Sequence, residues 1–324
     1  MAYQYGVPHC NLFCSGINAI YVILDSLATS IHKGKFLISK HLYCEVNSKV
    51  IKQLKIRHRN IRFVIADIYN TDRSVFDNID VLYIESCSNP DGFILNPEII
   101  KSLSAKTYVV VDNTWLSPVA HNPFDHGAHI VVESLTKYVS GSTCIMGAAY
   151  FKYADEPIMQ LCVDYNKATG LHIDPAHCTF LLKRLTSLEQ RIMDANHRTR
   201  QYLFELQQHH NIDKIHHPLL IYNPKDPEMS ILKIKSSRLI IPNVIYFHIK
   251  PQHNTQWKST FKEHIKSACE YADILYQTSF GHLEDSIDMW PKKDEDGIWV
   301  RLAVGYSDNH TIINQKIERF LQYM

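Results

Sequence analysis

The residues best placed to do chemistry close two short apolar runs near the middle of the chain. The first run, Thr107 to Val111, leads into Asp112-Asn113-Thr114; the second, Ala128 to Val132, leads into Glu133-Ser134-Leu135-Thr136-Lys137. Both runs are rich in β-branched residues and almost uniformly apolar, as strands buried on both faces of a mostly parallel sheet are. In open α/β sheets, ligands bind at the carboxyl ends of such strands. Neighbouring strands would therefore bring the Asp112 carboxylate and the Lys137 amine within reach of one small molecule. A buried acid and a buried amine facing one ligand suit pyridoxal phosphate. The lysine forms a Schiff base, and the aspartate keeps the pyridine nitrogen protonated so that the ring accepts electrons. Singly, neither residue points anywhere, because a lone lysine is usually solvated and a lone Asp after a strand usually caps or turns.

Two further positions add anion recognition. Behind Phe13-Cys14-Ser15-Gly16, the residues Ile17, Ile20, Tyr21, Leu24, Leu27, Ala28 and Ile31 recur at helical spacing, with Gly34 as the expected stop. Ser15 and Gly16 read equally as a cap and as a phosphate site, since a helix N-terminus offers free N–H groups and the positive end of its dipole. Near the other end of the chain, Arg301 interrupts the apolar stretch Trp299-Val300-Arg301-Leu302-Ala303-Val304-Gly305. Burying a guanidinium there is costly without an anion, and its planar fork fits a carboxylate.

The elements that must position these groups alternate in type. Phe36 to Ser39, Arg62 to Ala66, Val81 to Ile84 and Ile145 to Phe151 read as strands, and Asp174-Pro175 opens one long helical pattern reaching Met193. Alternation of strands with helices argues an α/β domain around a mostly parallel central sheet. The composition shifts after about Leu206, giving a large cofactor-binding domain over 1–205 and a smaller C-terminal α+β domain over 206–324.

Lysine and arginine number 34 against 33 aspartates and glutamates in 324 residues. That balance gives no basic field to draw nucleic acid or an anionic membrane surface, and no apolar stretch reaches membrane-spanning length. The start, Met1-Ala2-Tyr3-Gln4-Tyr5, lacks the basic and apolar regions of a secretory signal. The eight cysteines are scattered without a Cys-x-x-Cys pair, and the histidines show no ligand spacing. Reduced thiols in a cytoplasmic protein without a metal site are expected.

Taken together, these segments resemble the Cys/Met-metabolism family of pyridoxal phosphate enzymes, which includes cystathionine synthases and lyases and methionine γ-lyases. The resemblance runs through Ser15-Gly16-Ile17-Asn18-Ala19, Leu42-Tyr43, Glu85-Ser86-Cys87-Ser88-Asn89-Pro90, Asp112-Asn113-Thr114 with Pro118 and Gly127-Ala128, Ser134-Leu135-Thr136-Lys137-Tyr138 with Gly141, Leu182 to Arg191, Thr278 to Glu284 and Trp299 to Gly305. It implies the type-I pyridoxal phosphate transferase fold. It also implies that the Gly16 and Ile17 amides, with the Ser134 and Thr136 hydroxyls, hold the cofactor phosphate. By the same likeness Tyr43 stacks on the pyridine ring and transfers a proton to the leaving group, Asn89 bonds the ring oxygen, and Ser279 joins Arg301 on the substrate carboxylate. Cys44 stands where the family has glycine.

The activity so implied is that of a carbon–sulfur lyase or γ-replacement enzyme of trans-sulfuration and methionine metabolism. It would act on a cystathionine-, methionine- or homoserine-ester-like amino acid, with Lys137 as base for the Cα proton, in a homodimer or homotetramer. Family members carry an N-terminal Tyr-x-Arg that grips the phosphate of a neighbouring subunit, and Tyr3-Gln4-Tyr5 lacks the arginine. That departure makes a non-catalytic binding or partner subunit the alternative. Another type-I enzyme, such as an aminotransferase, would share only the lysine and aspartate.

Overall fold

The computed structural model describes residues 1–69, 72–103, 105–235, 237–250, 257–290, 297–307 and 310–324; for 257–260 and 310–314 it describes the backbone alone. The first half builds a seven-stranded sheet from β1 (His9–Phe13), β2 (Gly34–Ser39), β3 (Ile61–Ala66), β4 (Val81–Glu85), β5 (Tyr108–Asp112), β6 (Ile130–Ser134) and β7 (Gly147–Phe151), in the order β1-β7-β6-β5-β4-β2-β3. The pairings from β3 through β6 are parallel, whereas β7 lies antiparallel to β6 and β1 antiparallel to β7. The mostly parallel sheet expected from the apolar runs is therefore present.

Both faces of that sheet are buried, and alternate residues of a strand serve different cores. Phe36, Ile38, Val81, Tyr83, Val110, Ile130 and Val132 face helix α1 (Gly16–Ile31), which supplies Ala19, Ile20, Ile23, Leu24 and Leu27. Leu37, Leu82, Ile84, Val109, Val111 and Val131 face the opposite core. This two-sided burial is why the strands read as continuous apolar runs rather than alternating ones.

The opposite core is shared with the C-terminal part. There β8 (Ile212–His216), the two-residue pair β9 (Ile234–Lys235) and β10 (Arg238–Leu239), β11 (Val244–Ile249), β12 (Leu275–Tyr276), β13 (Ser286–Met289) and β14 (Ile298–Ala303) follow in order. Five of them form a second sheet, β12-β13-β14-β11-β8, in which only β12 and β13 pair in parallel. Ile245, Phe247, Val300 and Leu302 from this sheet join the core beneath the large sheet.

Three local expectations are corrected. Gly34 does not stop α1. The helix ends at Ile31, His32 takes a positive φ of 59°, and Gly34 opens β2, where a Cβ would lie 2.6 Å from Asp80 Oδ2. The long helical pattern from Pro175 is two helices, Pro175–Leu185 and Leu188–Gln208. The Arg184 carbonyl accepts from the Ser187 hydroxyl at 3.2 Å and from Arg191 Nη2 at 3.0 Å, so side chains satisfy a carbonyl that a continuing helix would have bonded. The run Leu239 to Ile249, which reads from its sequence as one strand, is divided: Leu239 belongs to the short β9–β10 pair and only Val244–Ile249 joins the second sheet.

Among the elements that went unforeseen are β1 and the helix Pro157–Thr169, between Glu156 and the left-handed Gly170. Tyr5, in the stretch lacking the arginine, is buried. Its hydroxyl donates to Glu133 Oε2 at 3.1 Å and accepts from Asn113 Nδ2 at 3.0 Å. All eight cysteines are free thiols. No helix among the described residues is long and apolar enough to cross a membrane.

Candidate active site

A cavity of about 430 Å³ opens at the carboxyl ends of β4, β5 and β6, a volume within the range of small-molecule sites. Its wall gathers Gly16, Ile17, Tyr43, Asn89, Asp112, Ser134, Thr136, Lys137 and Arg301, nine of the ten residues singled out from the sequence. Ser279 is the exception. Its hydroxyl accepts a hydrogen bond from Lys137 Nζ at 2.8 Å, so the structure places it on the amine.

The acids come from adjacent strand ends. Asp112 closes β5 and Glu85 closes β4, and the two are register partners. Asp112 Oδ1 accepts from the Thr114 N–H at 2.9 Å and hydroxyl at 2.5 Å, and Oδ2 accepts from Tyr83 at 3.4 Å. Burial pushes the Asp112 pKa up, against the pull of these donors. Glu85 Oε1 accepts from the Tyr43 N–H at 2.7 Å, while Oε2 is buried without a partner. Burial, and then the charge of Asp112, push the Glu85 carboxyl well above the usual carboxylate range. Like charges on neighbouring strand ends resist joint ionisation, so the pair favours one anion.

Lys137 sits in the turn after β6, where its carbonyl accepts from the Gly141 N–H at 2.9 Å. Arg191 grips the next residues through the Tyr138 and Val139 carbonyls. The amine lies 5.0 Å over the Phe280 ring. Burial, and then the charge of Arg301, lower its pKa to about 8. An amine so poised supplies a useful fraction of free base near neutrality.

Arg301, on β14, is 2% exposed. Nη1 donates to Asn89 Oδ1 at 3.1 Å and Nη2 donates to the Thr278 carbonyl, and the guanidinium stacks 4.5 Å from the Trp290 ring centroid. Its Nε is buried and unpartnered, so the fork still has a donor to offer. Burial lowers its pKa to about 10. Asn89 accordingly gives its carboxamide oxygen to Arg301 and keeps its NH2 as a donor.

At the other end, Ser15 caps α1 in an extended conformation and accepts the Asn18 N–H at 3.2 Å. The first N–H groups of a helix have no intrahelical acceptor, and those of Gly16 and Ile17 border the cavity. The sole donor of the Thr136 hydroxyl goes to the Met146 carbonyl at 3.2 Å, which leaves Ser134 as the freer hydroxyl. Gly16 packs directly on Ser134, where a Cβ would stand 2.6 Å from the Ser134 Cβ and 2.9 Å from its Cα. Gly16→Ala should therefore displace Ser134 and, where these groups hold a cofactor phosphate as the resemblance implies, weaken cofactor binding by about tenfold, the equivalent of one charged hydrogen bond. A pyridoxal phosphate titration followed by absorbance reads this directly.

The remaining wall is aromatic and acidic. Trp115 and Phe280 pack edge to face and border the cavity beside Ile20 and Ile145. Tyr43 is 39% exposed, and its hydroxyl donates to Glu45 Oε2 at 3.0 Å. Burial, and then this bond, push its pKa up to about 12, so the proton implied for transfer is held firmly. Sequence reasoning assigned no role to Glu85, Trp115, Phe280 or Glu45. Glu85 and Trp115 immediately adjoin strand ends already singled out, and that adjacency was the usable signal.

A sheet-end cavity thus gathers an acid, an amine, a buried arginine and a helix N-terminus in an α/β fold. The chain belongs to the Cys/Met metabolism PLP-dependent enzyme family, whose profile it matches over residues 1–293. It is 28% identical to cystathionine beta-lyase of Schizosaccharomyces pombe over 196 residues, 50% of each chain. It is 30% identical to cystathionine gamma-lyase of Dictyostelium discoideum over 184 residues, 54% of this chain and 45% of that one. The chain thus spans about half the length of the curated relatives it matches. Its fold is shared with cystathionine gamma synthase from Xanthomonas oryzae pv. oryzae, at a TM-score of 0.83 and 19% identity over 99% of this chain and 83% of that one.

Proposed function

We propose that the chain is a pyridoxal phosphate-dependent carbon–sulfur lyase or γ-replacement enzyme acting on a small amino acid. The observation that carries this reading is the single cavity wall shared by Asp112, Arg301 and a Lys137 amine lowered to about 8. The donor set suits the cofactor at each end. Helix N–H groups and the Ser134 hydroxyl would take its phosphate, Asp112 would hold a proton on its ring nitrogen, and the Asn89 NH2 would donate to its ring oxygen. Pyridoxal phosphate, when bound, supplies the electron sink.

The chain's own groups do the rest. Arg301 binds the substrate α-carboxylate through its open Nε edge and fixes the orientation of Cα. Lys137, as free amine, takes the Cα proton and can return a proton to the product. Ser279 steadies that amine, and Arg191 fixes the turn that carries it. Trp115 and Phe280, both buried, exclude water from one side of the cavity. The non-catalytic alternative draws no support from this constellation, since the lysine, aspartate and arginine all face one space.

The test is a panel of cystathionine, methionine, cysteine and homoserine esters, scored for pyruvate, 2-oxobutyrate and released thiol. Pyruvate marks β-elimination and 2-oxobutyrate marks γ-elimination. No product from any of them, with cofactor demonstrably bound, would refute the proposal.

A further inference from the structure

We infer that Trp290 is a positioning residue for Arg301: its indole N–H occupies Asp288 and its ring covers the guanidinium, so the two charges do not pair and the arginine stays available to a substrate carboxylate. This rests on the lyase reading above, in which Arg301 binds that carboxylate, and adds the group that keeps it available.

Arg301 has a carboxylate as its neighbour across the sheet. Asp288 on β13 is its register partner on one side, and Tyr246 on β11 is its partner on the other. Partners in antiparallel strands share a sheet face, close enough for opposite charges to meet. Arg301 is 2% exposed and Asp288 is 8% exposed, and buried charges are normally paired. Burial is the foremost influence on the guanidinium, and the charge of Asp288 is the largest one opposing it. Yet among the described residues no hydrogen bond or ion pair joins the two. The guanidinium bonds Asn89 and the Thr278 carbonyl instead.

Trp290, one residue past β13, is the side chain that meets both. Its indole N–H donates to Asp288 Oδ2 at 2.7 Å, and its ring centroid lies 4.5 Å from the guanidinium. Its backbone is held too. The N–H donates to the Trp299 carbonyl at 3.0 Å, and the carbonyl accepts from the Tyr246 hydroxyl at 2.8 Å. Both cross-strand neighbours of Arg301 therefore bond Trp290 rather than the arginine.

That arrangement has a chemical consequence. An aromatic face stabilises a guanidinium without consuming any of its N–H donors, whereas an ion pair with Asp288 would take donors from its edge. Nε, buried and unpartnered, is a donor left open. Removing the indole would release Asp288 to pair with Arg301, and a substrate carboxylate would then have to displace an internal one.

The experiment titrates the pyridoxal phosphate-loaded protein, at one pH, with L-norleucine and L-norleucinamide, following the cofactor absorbance. The two match in size and lack a leaving group on the β or γ carbon, so the ratio of their affinities reports recognition of the carboxylate. Arg301→Ala sets the ratio without that recognition. The unaltered protein should exceed it by about tenfold or more, the equivalent of one charged hydrogen bond. Trp290→Ala should fall to the Arg301→Ala value while binding the carboxamide as before, and Asp288→Asn added to it should restore the ratio. Trp290→Leu makes the same comparison if Trp290→Ala does not fold. A ratio unchanged in the Trp290 variant, a carboxamide affinity that falls as far as that of the acid, or a ratio that Asp288→Asn does not restore would overturn the inference and leave Arg301 as the carboxylate binder. An Arg301→Ala ratio equal to that of the unaltered protein would instead remove the carboxylate role of Arg301, and the inference with it. If neither ligand perturbs the absorbance, the lyase reading itself falls.

Discussion

Lys137→Ala should leave the protein colourless in excess pyridoxal phosphate, whereas the unaltered chain develops the visible band of a lysine-linked cofactor. In the proposed function the amine is the nucleophile and, once freed, the base. Its loss should lower turnover by about a thousandfold or more, the scale of a positioned proton-transfer group. The same site predicts the pH dependence of cofactor capture. Only the neutral amine attacks the aldehyde, and burial together with Arg301 lowers its pKa to about 8. Capture by cofactor-free protein should therefore speed up as pH rises through about 8 and level off above it, far below the range of an ordinary lysine. Stopped-flow absorbance measures that profile. A band persisting in Lys137→Ala would assign the linkage to another amine.

Arg301→Ala is expected to separate substrate binding from cofactor binding. The guanidinium stands on β14 whereas the proposed phosphate-end donors stand on α1 and β6, so the visible band should remain. A lost charged hydrogen bond to a carboxylate costs about 1.5–3 kcal/mol, hence a rise in KM of about 10- to 150-fold. Arg301→Lys should recover little of it. An ammonium cannot bond Asn89 and the Thr278 carbonyl and also present a planar edge. Steady-state kinetics on the best substrate of the panel, with the cofactor band as control, distinguishes loss of carboxylate binding from collapse of the site. Unchanged kinetics would remove Arg301 from the site.

Asp112, Ser134 and Lys137 were legible in the sequence because they end or follow buried runs whose apolar character is local information. The N-terminus of α1 was legible for the same reason: Ser15 and the apolar spacing behind it lie within one short segment. Contacts closed by the fold were not. Ser279 meets the Lys137 amine across 142 positions of sequence, and Arg301 meets Asn89 across 212; neither pairing leaves a local trace. Strand β1 escaped notice because His9-Cys10-Asn11-Leu12-Phe13 carries no apolar run. It is fixed by antiparallel pairing with β7, itself antiparallel to β6. The division at Thr186 and Ser187 escaped because its cause is Arg191, whose guanidinium takes carbonyls from both the preceding helix and the lysine turn.

The tether between the Lys137 amine and Ser279 carries a consequence for how this chain can be taken apart. The amine sits in one sheet's turn and its support comes from the other sheet's side of the seam, as does Arg301, the proposed carboxylate binder. A half-chain stopped after the helix Leu188–Gln208 would keep the nucleophile and the helix mouth for the phosphate, but not the brace or the carboxylate clasp. Neither half is a miniature of the whole.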